Sequence, residues 1–196
     1  MCVFRGNISM CMVFMGNQGK VLENEIFMRL ALEQAAIAGA KGEFPVGCVI
    51  VQAGEVVGTG TRKGTRPGQV LFSEIDHAEI RALKSLEGNP RKFNSKESVL
   101  FCTMEPCLMC FAAIILAGIK KIVYAYEDPM GGGTRCDLSS MTLLYREAKM
   151  TIVSGVLREK SLDLFYDFFN KEGNLYWKDS FLEAYTLEQK RSSTRK

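Results

Sequence analysis

His77-Ala78-Glu79 and, farther along, Pro106-Cys107-Leu108-Met109-Cys110 constrain this chain more than any other feature. The first segment holds the single histidine of the 196 residues, beside a carboxylate. The second is a CxxC pair opened by proline. Three nitrogen and sulfur ligands plus one acid/base, with no second histidine to close the set, make the inventory of a catalytic zinc site whose fourth position holds water. Zinc lowers the pKa of such a water to about 7, so hydroxide is available at neutral pH. Glu79, two residues past His77, can face the same cavity without ligating the metal and carry protons. A fold that uses these residues together must bring two distant segments to one point.

Local pattern says how each segment is held. Ile80, Leu83 and Leu86, with Ala78 and Ala82 beside them, have helical spacing, and Gly88 supplies a stop. Val99 to Thr103 is a strand-like run; Pro106 then suits the first turn of a helix from Cys107 to Ala117, ended by Gly118. Both ligand sets therefore fall at helix N-termini, where the positive end of the dipole favours thiolates. A thioredoxin-like redox pair would account for the cysteines, yet leaves His77 and Glu79 unexplained.

The rest of the chain reads as a helix over 23–40, strands over 46–52 and 56–58 joined at Gly54, and a polar loop over 61–74. After the CxxC helix come a strand over 121–126, a loop with Gly131-Gly132-Gly133, a helix over 138–146, a short strand over 150–154, an aromatic-rich helix over 161–170 and a last helix over 175–189 holding Trp177. Alternating strands and helices after a hairpin predict a three-layer α/β/α fold with a mixed five-stranded sheet. The triple glycine lacks the spacing of a phosphate loop and reads as either a flexible active-site border or an ordinary turn.

One domain is expected over 23–170, preceded by a flexible leader, 1–22, and followed by a C-terminal helix and basic tail, 171–196. A hydrophobic share of 47% and a charged share of 24% describe a soluble globular chain. The net charge of +3 is compatible with nucleic acid without arguing for it. Seven cysteines, an odd number, and no secretory signal point to a reducing, cytoplasmic setting. No run approaches the ~20 apolar residues of a membrane helix.

Over residues 23–170 the chain resembles the cytidine deaminase-like superfamily, and within it the tRNA adenosine deaminases and guanine deaminases. The resemblance rests on Phe44-Pro45-Val46-Gly47, His77-Ala78-Glu79-Ile80, Glu105-Pro106-Cys107-Leu108-Met109-Cys110 and Asp128-Pro129. The paired H-x-E and P-C-x-x-C halves are the signature of nucleobase-acting zinc deaminases. It implies zinc on His77, Cys107 and Cys110, Glu79 as catalytic acid/base, and hydrolytic deamination of a nucleobase, a nucleoside or a base in tRNA. Adenosine in tRNA or a guanine-like purine is the implied substrate. Cytosine, cytidine or a modified base is the alternative, as is a catalytically idle accessory subunit of a tRNA-modifying complex. Expected partners are a small nucleobase or nucleoside or a tRNA anticodon loop, and a second copy of the chain through the apolar run Phe111–Leu116. Phe44, Pro45, Ala78 and Asp128 are the implied substrate contacts. The family's base-holding asparagine after the second strand is missing from Gly58-Thr59-Gly60-Thr61-Arg62-Lys63, so Arg62 or Thr61 is expected to face the substrate.

Overall fold

The computed structural model describes residues 16–66, 72–87 and 93–193. The first 15 residues of the expected leader, and the last three of the tail, lie outside them. Helix α1 (Gly16–Ala40) is followed by β1 (Gly47–Gln52), β2 (Glu55–Thr61), α2 (Ala78–Lys84), β3 (Ser98–Met104), α3 (Leu108–Leu116), β4 (Lys121–Tyr126), α4 (Leu143–Arg146), β5 (Thr151–Val153), α5 (Arg158–Phe169) and α6 (Phe181–Ser193). The five strands form one sheet in the order β2-β1-β3-β4-β5. β1 is antiparallel to both neighbours, while β3, β4 and β5 run parallel, giving the expected mixed sheet.

Side chains alternate across this sheet as the strand period dictates. Val49, Val51, Phe101 and Val123 face α1, packing on Phe27, Met28 and Ala31. Cys48, Ile50, Leu100, Cys102, Ile122 and Tyr124 face the opposite side, where Ala78 and Ala82 of α2 and Phe111 and Ile114 of α3 cover them. Because both faces are covered, the central strands read as near-continuous apolar runs. The aromatic residues of α5 close one end of the sheet: Phe165 and Phe168 each lie 5.2 Å, centroid to centroid, from Phe44.

Three expectations change. The α1 pattern extends to Gly16, beyond the 23–40 read from sequence. The helix expected over 138–146 is a 3₁₀ turn at Leu138–Ser140 and the four residues of α4. The helix expected over 175–189 starts only at Phe181. Trp177 and Asp179 take positive φ of 55° and 60°, which a helix excludes. Ser180 accepts the N–H of Glu183 on its hydroxyl and that of Ala184 on its carbonyl, so the chain turns into α6 there.

The sheet register fixes where a site can form. Gly47 pairs with Thr61, Cys48 with Cys102 and Met104 with Tyr126. The start of β1 and the ends of β2, β3 and β4 therefore share one edge, at the carboxyl ends of the parallel strands where open α/β sheets bind ligands.

Candidate active site

His77 caps the N-terminus of α2, Cys107 caps that of α3, and Cys110 sits in the first turn of α3. The ligand atoms of the three residues lie within 4.8 Å of one another. The His77 Nδ1 atom is 3.5 Å from Cys107 Sγ and 3.4 Å from Cys110 Sγ. A tetrahedral zinc with Zn–S near 2.3 Å and Zn–N of 2.0–2.1 Å separates sulfur from nitrogen by about 3.6 Å, so the donor set fits that ion.

The charges around this point also call for a cation. The Cys110 thiol donates to Cys107 and pulls its pKa down to about 4; burial opposes this and His77 reinforces it. Cys110 is pushed far up, because it holds the shared proton and lies deeper. A divalent cation displaces such a proton and leaves two thiolates. Burial acts to lower the His77 pKa, but the Cys107 thiolate and Glu79 outweigh it and the net shift is upward. Glu79 is 3% exposed, and its Oε2 atom has no hydrogen-bond partner among the described residues. Burial raises its pKa. A buried carboxyl oxygen with no partner is costly unless a proton, a water or a substrate group meets it.

Two glycine features bring these helices so close to the strands. A Cβ on Gly60 of β2 would lie 2.0 Å from the Ala78 carbonyl oxygen, so the bare backbone there lets the start of α2 rest on the sheet. The triple glycine does the same for α3. A Cβ on Gly132 would lie 2.6 Å from the Glu105 carboxyl carbon, and one on Gly133 the same distance from the Leu108 nitrogen. The Gly133 N–H donates to the Pro106 carbonyl at 2.8 Å, and Glu105 accepts the Asp128 N–H and the Thr134 hydroxyl. The loop is thus a fastened border of the site.

A cavity of about 140 Å³ opens at His77 and Cys107. Phe44, Arg62, Ala78 and Asp128 line it with His77, Glu79 and Cys107. Pro45 does not; it is buried against Gly39 of α1, and its neighbours Phe44 and Val46 form the wall. Asp128 spends one carboxylate oxygen on the N–H groups of Met130 and Gly131, holding its own loop. Sequence reasoning missed Glu74, Tyr176, Trp177 and Leu182, which also line the cleft. Nothing in the pattern near Tyr176 ties it to His77.

The family model of the cytidine and deoxycytidylate deaminase zinc-binding region matches residues 22–126. This chain belongs to that family. It is a zinc-dependent hydrolytic deaminase. The tRNA-specific adenosine deaminase of Streptococcus pyogenes serotype M18 is 30% identical over 149 residues, covering 76% of the deaminase chain and 91% of its own. That of Haemophilus influenzae is 35% identical over 153 residues, covering 76% and 84%. Among solved structures, a tRNA deaminase performing A-to-I editing at the wobble position of transfer RNA aligns with a TM-score of 0.60 at 30% identity, over 71% of the deaminase chain and 98% of its own. A protein solved in complex with 2,6-diaminopurine aligns with a TM-score of 0.61 at 21% identity, over 78% and 85%, and shares the fold.

Proposed function

We propose that the deaminase removes the exocyclic amine of adenosine presented in a single-stranded loop of tRNA. The observation that carries this is the cleft: about 140 Å³, lined by Glu79 and by two of the three ligands, His77 and Cys107. That is below the 300–1,000 Å³ of pockets that engulf a whole drug-sized ligand, so a base enters while its sugar and phosphates stay outside. Enzymes that act on bases within a nucleic acid work in this way, on single strands or on an extruded base. The relatives named as tRNA adenosine deaminases supply the base and the polymer.

The roles follow from position. His77, Cys107 and Cys110 hold zinc, which supplies a water acidified to near neutral pH as the nucleophile. Glu79 would take one proton of that water on its unpartnered oxygen and pass it to the ring nitrogen, then carry the second to the amine, which leaves as ammonia. Phe44, Arg62, Ala78 and Asp128 bound the base. The catalytically idle reading is disfavoured because Glu79 is present, buried and aimed at the ligands.

The deaminase pairs with a second copy through α3. Leu108, Met109 and Leu116 of that helix are 52%, 37% and 62% exposed, and they recur at helical spacing. Phe111 and Ile114, expected in the same face, are buried in the chain's own core instead. Free thiols as ligands imply a reducing, cytoplasmic setting. No helix among the described residues is long and apolar enough to cross a membrane.

The test is ammonia release and inosine formation from tRNA anticodon stem-loops with a wobble adenosine, beside adenosine, adenine, guanine, cytosine and cytidine. Turnover of the stem-loop above all small molecules supports the proposal. A free base or nucleoside turned over faster, or an inert stem-loop, overturns it.

A further inference from the structure

Trp177 is the single tryptophan of the chain, and it stands in the wall of the cleft while 41% exposed to solvent. Met130, which also lines the cleft, is 39% exposed. Phe72, whose ring lies 6.5 Å from that of Tyr176, is 63% exposed. Single exposed apolar residues are ordinary, but three grouped beside a catalytic cleft mark a contact surface. Among the described residues the only ring against Trp177 is that of Tyr176, 5.8 Å away and edge-on at 86°. No described ring lies flat against the indole, and its exposure leaves part of it free for a flat partner.

The backbone is built to present this ring. Trp177 takes a φ of 55° and Asp179 one of 60°. For a bulky side chain that conformation is a true outlier, and it persists only where the surrounding bonds over-determine it. Here they do. Asn174 accepts the Tyr176 N–H at 3.1 Å and donates its side-chain amide to the Tyr176 carbonyl at 3.3 Å. The Tyr176 hydroxyl accepts from Arg62 Nη2 at 3.3 Å and donates to Glu74 Oε2 at 3.0 Å. The Ser180 N–H donates to the Trp177 carbonyl at 3.2 Å, and Glu183 accepts the Asp179 N–H. A turn fastened on both sides holds the indole before a ligand arrives, which leaves little ordering cost to binding. This turn lies between α5 and α6, outside the 22–126 region that carries the family match.

We propose that Trp177 is a stacking platform for the base of the nucleotide next to the target adenosine in the single strand. This rests on the tRNA reading above. A cleft of about 140 Å³ takes one base and leaves the adjoining nucleotides at its mouth, where Trp177 stands. Drawing the target inward strips a neighbour of the base it stacked on, and an aromatic side chain replaces that surface. Every base has a π-face, so the contact grips the strand without reading its sequence. A free nucleoside has no neighbouring base, so the same contact favours the polymer over the small molecule.

The single tryptophan is its own probe. Zinc-loaded full-length protein is titrated with a wobble-adenosine stem-loop and with the same stem-loop made abasic on either side of that adenosine. Indole fluorescence is read, and binding is measured separately by anisotropy of end-labelled RNA. The intact stem-loop should quench the fluorescence. One abasic stem-loop should quench far less and bind about 5- to 100-fold more weakly. Trp177→Ala should raise KM for the intact stem-loop by a similar factor and lose the abasic penalty, with zinc content and melting temperature as in wild type. Trp177→Phe, which keeps a ring, should recover part of both affinity and penalty. If Trp177→Ala does not fold, quenching and the abasic penalty in wild type decide. If the intact stem-loop binds and is deaminated without quenching, or the abasic penalty is equal in wild type and Trp177→Ala, the proposal fails and the tRNA reading stands. If the fluorescence follows protein concentration alone and RNA adds nothing, Trp177 is a contact between copies and the proposal fails. If no stem-loop binds while a free base or nucleoside is turned over, the tRNA reading fails and the proposal falls with it.

Discussion

Glu79 combines a buried, unpartnered oxygen with a place in the first turn of α2, two residues from a metal ligand. Glu79→Gln keeps the shape and loses the proton carrier. It should hold zinc and fold as wild type while kcat falls at least about 10²–10⁴-fold, read by ammonia release. Cys107 and Cys110 both bring Sγ within reach of a metal held by His77 Nδ1, and both must be thiolates to hold it, so each thiol matters to affinity. Cys107→Ser should leave the purified protein with well under one zinc per chain by metal analysis. Full zinc retention in that variant would refute the ligand set. These residues were legible because the chemistry demands those side chains at that spacing. Arg62 and Tyr176 were not comparably legible. The missing asparagine marked Arg62 as unusual, but no pattern at position 176 shows that a tyrosine more than a hundred residues away reaches it.

Elements are held at the site by what their backbones lack as much as by what they bear. Gly60 has no side chain where the Ala78 carbonyl presses on β2. Gly60→Ala inserts a methyl into that contact and should destabilise the fold by about 1–3 kcal/mol or more, through overpacking. Denaturant unfolding reads the loss; the zinc content should fall with it, since α2 carries His77. An unchanged midpoint would show that α2 can slide freely on the sheet. At the other end of the chain, Ser180-Phe181-Leu182-Glu183 is an S-x-x-E start signal for α6. Trp177 and Asp179, in left-handed conformations, end any helix before it. Only the apolar pattern was read there, and it ran the helix six residues too early, over the turn that delivers Tyr176 to the cleft.

Across the whole molecule, many apolar side chains are enclosed by the α/β/α layers, yet several large ones are not, among them a group on α3 and α4. Leu108, Met109 and Leu116 of α3 and Leu143 and Leu144 of α4 remain more than a third exposed. Leu143 and Leu144 join Ile115 around a surface groove at the end of α3. Covering these residues with a second copy removes them from water at about 25 cal/mol per Å² of apolar surface. The deaminase should therefore scatter light at twice its chain mass of 21.9 kDa at micromolar concentration. Leu116→Asp with Leu144→Asp should shift it to one chain mass while its circular dichroism stays native. A wild-type monomer under those conditions would refute the pairing.

The sequence alone determined the chemistry and the layers. Zinc catalysis draws its ligands from a short menu of side chains beside an acid/base, so the motif is written in residue identities. Strand and helix periods are equally local, and the mixed sheet follows from their order. The tertiary structure alone decided which strand ends meet at one edge, that the triple glycine is fastened under α3, that Pro45 turns away from the cleft, and that Tyr176 orders Arg62 within it. Those facts depend on register and on approach between segments distant in the chain. Such contacts are set by the packing of the whole core and leave no periodic trace along the sequence.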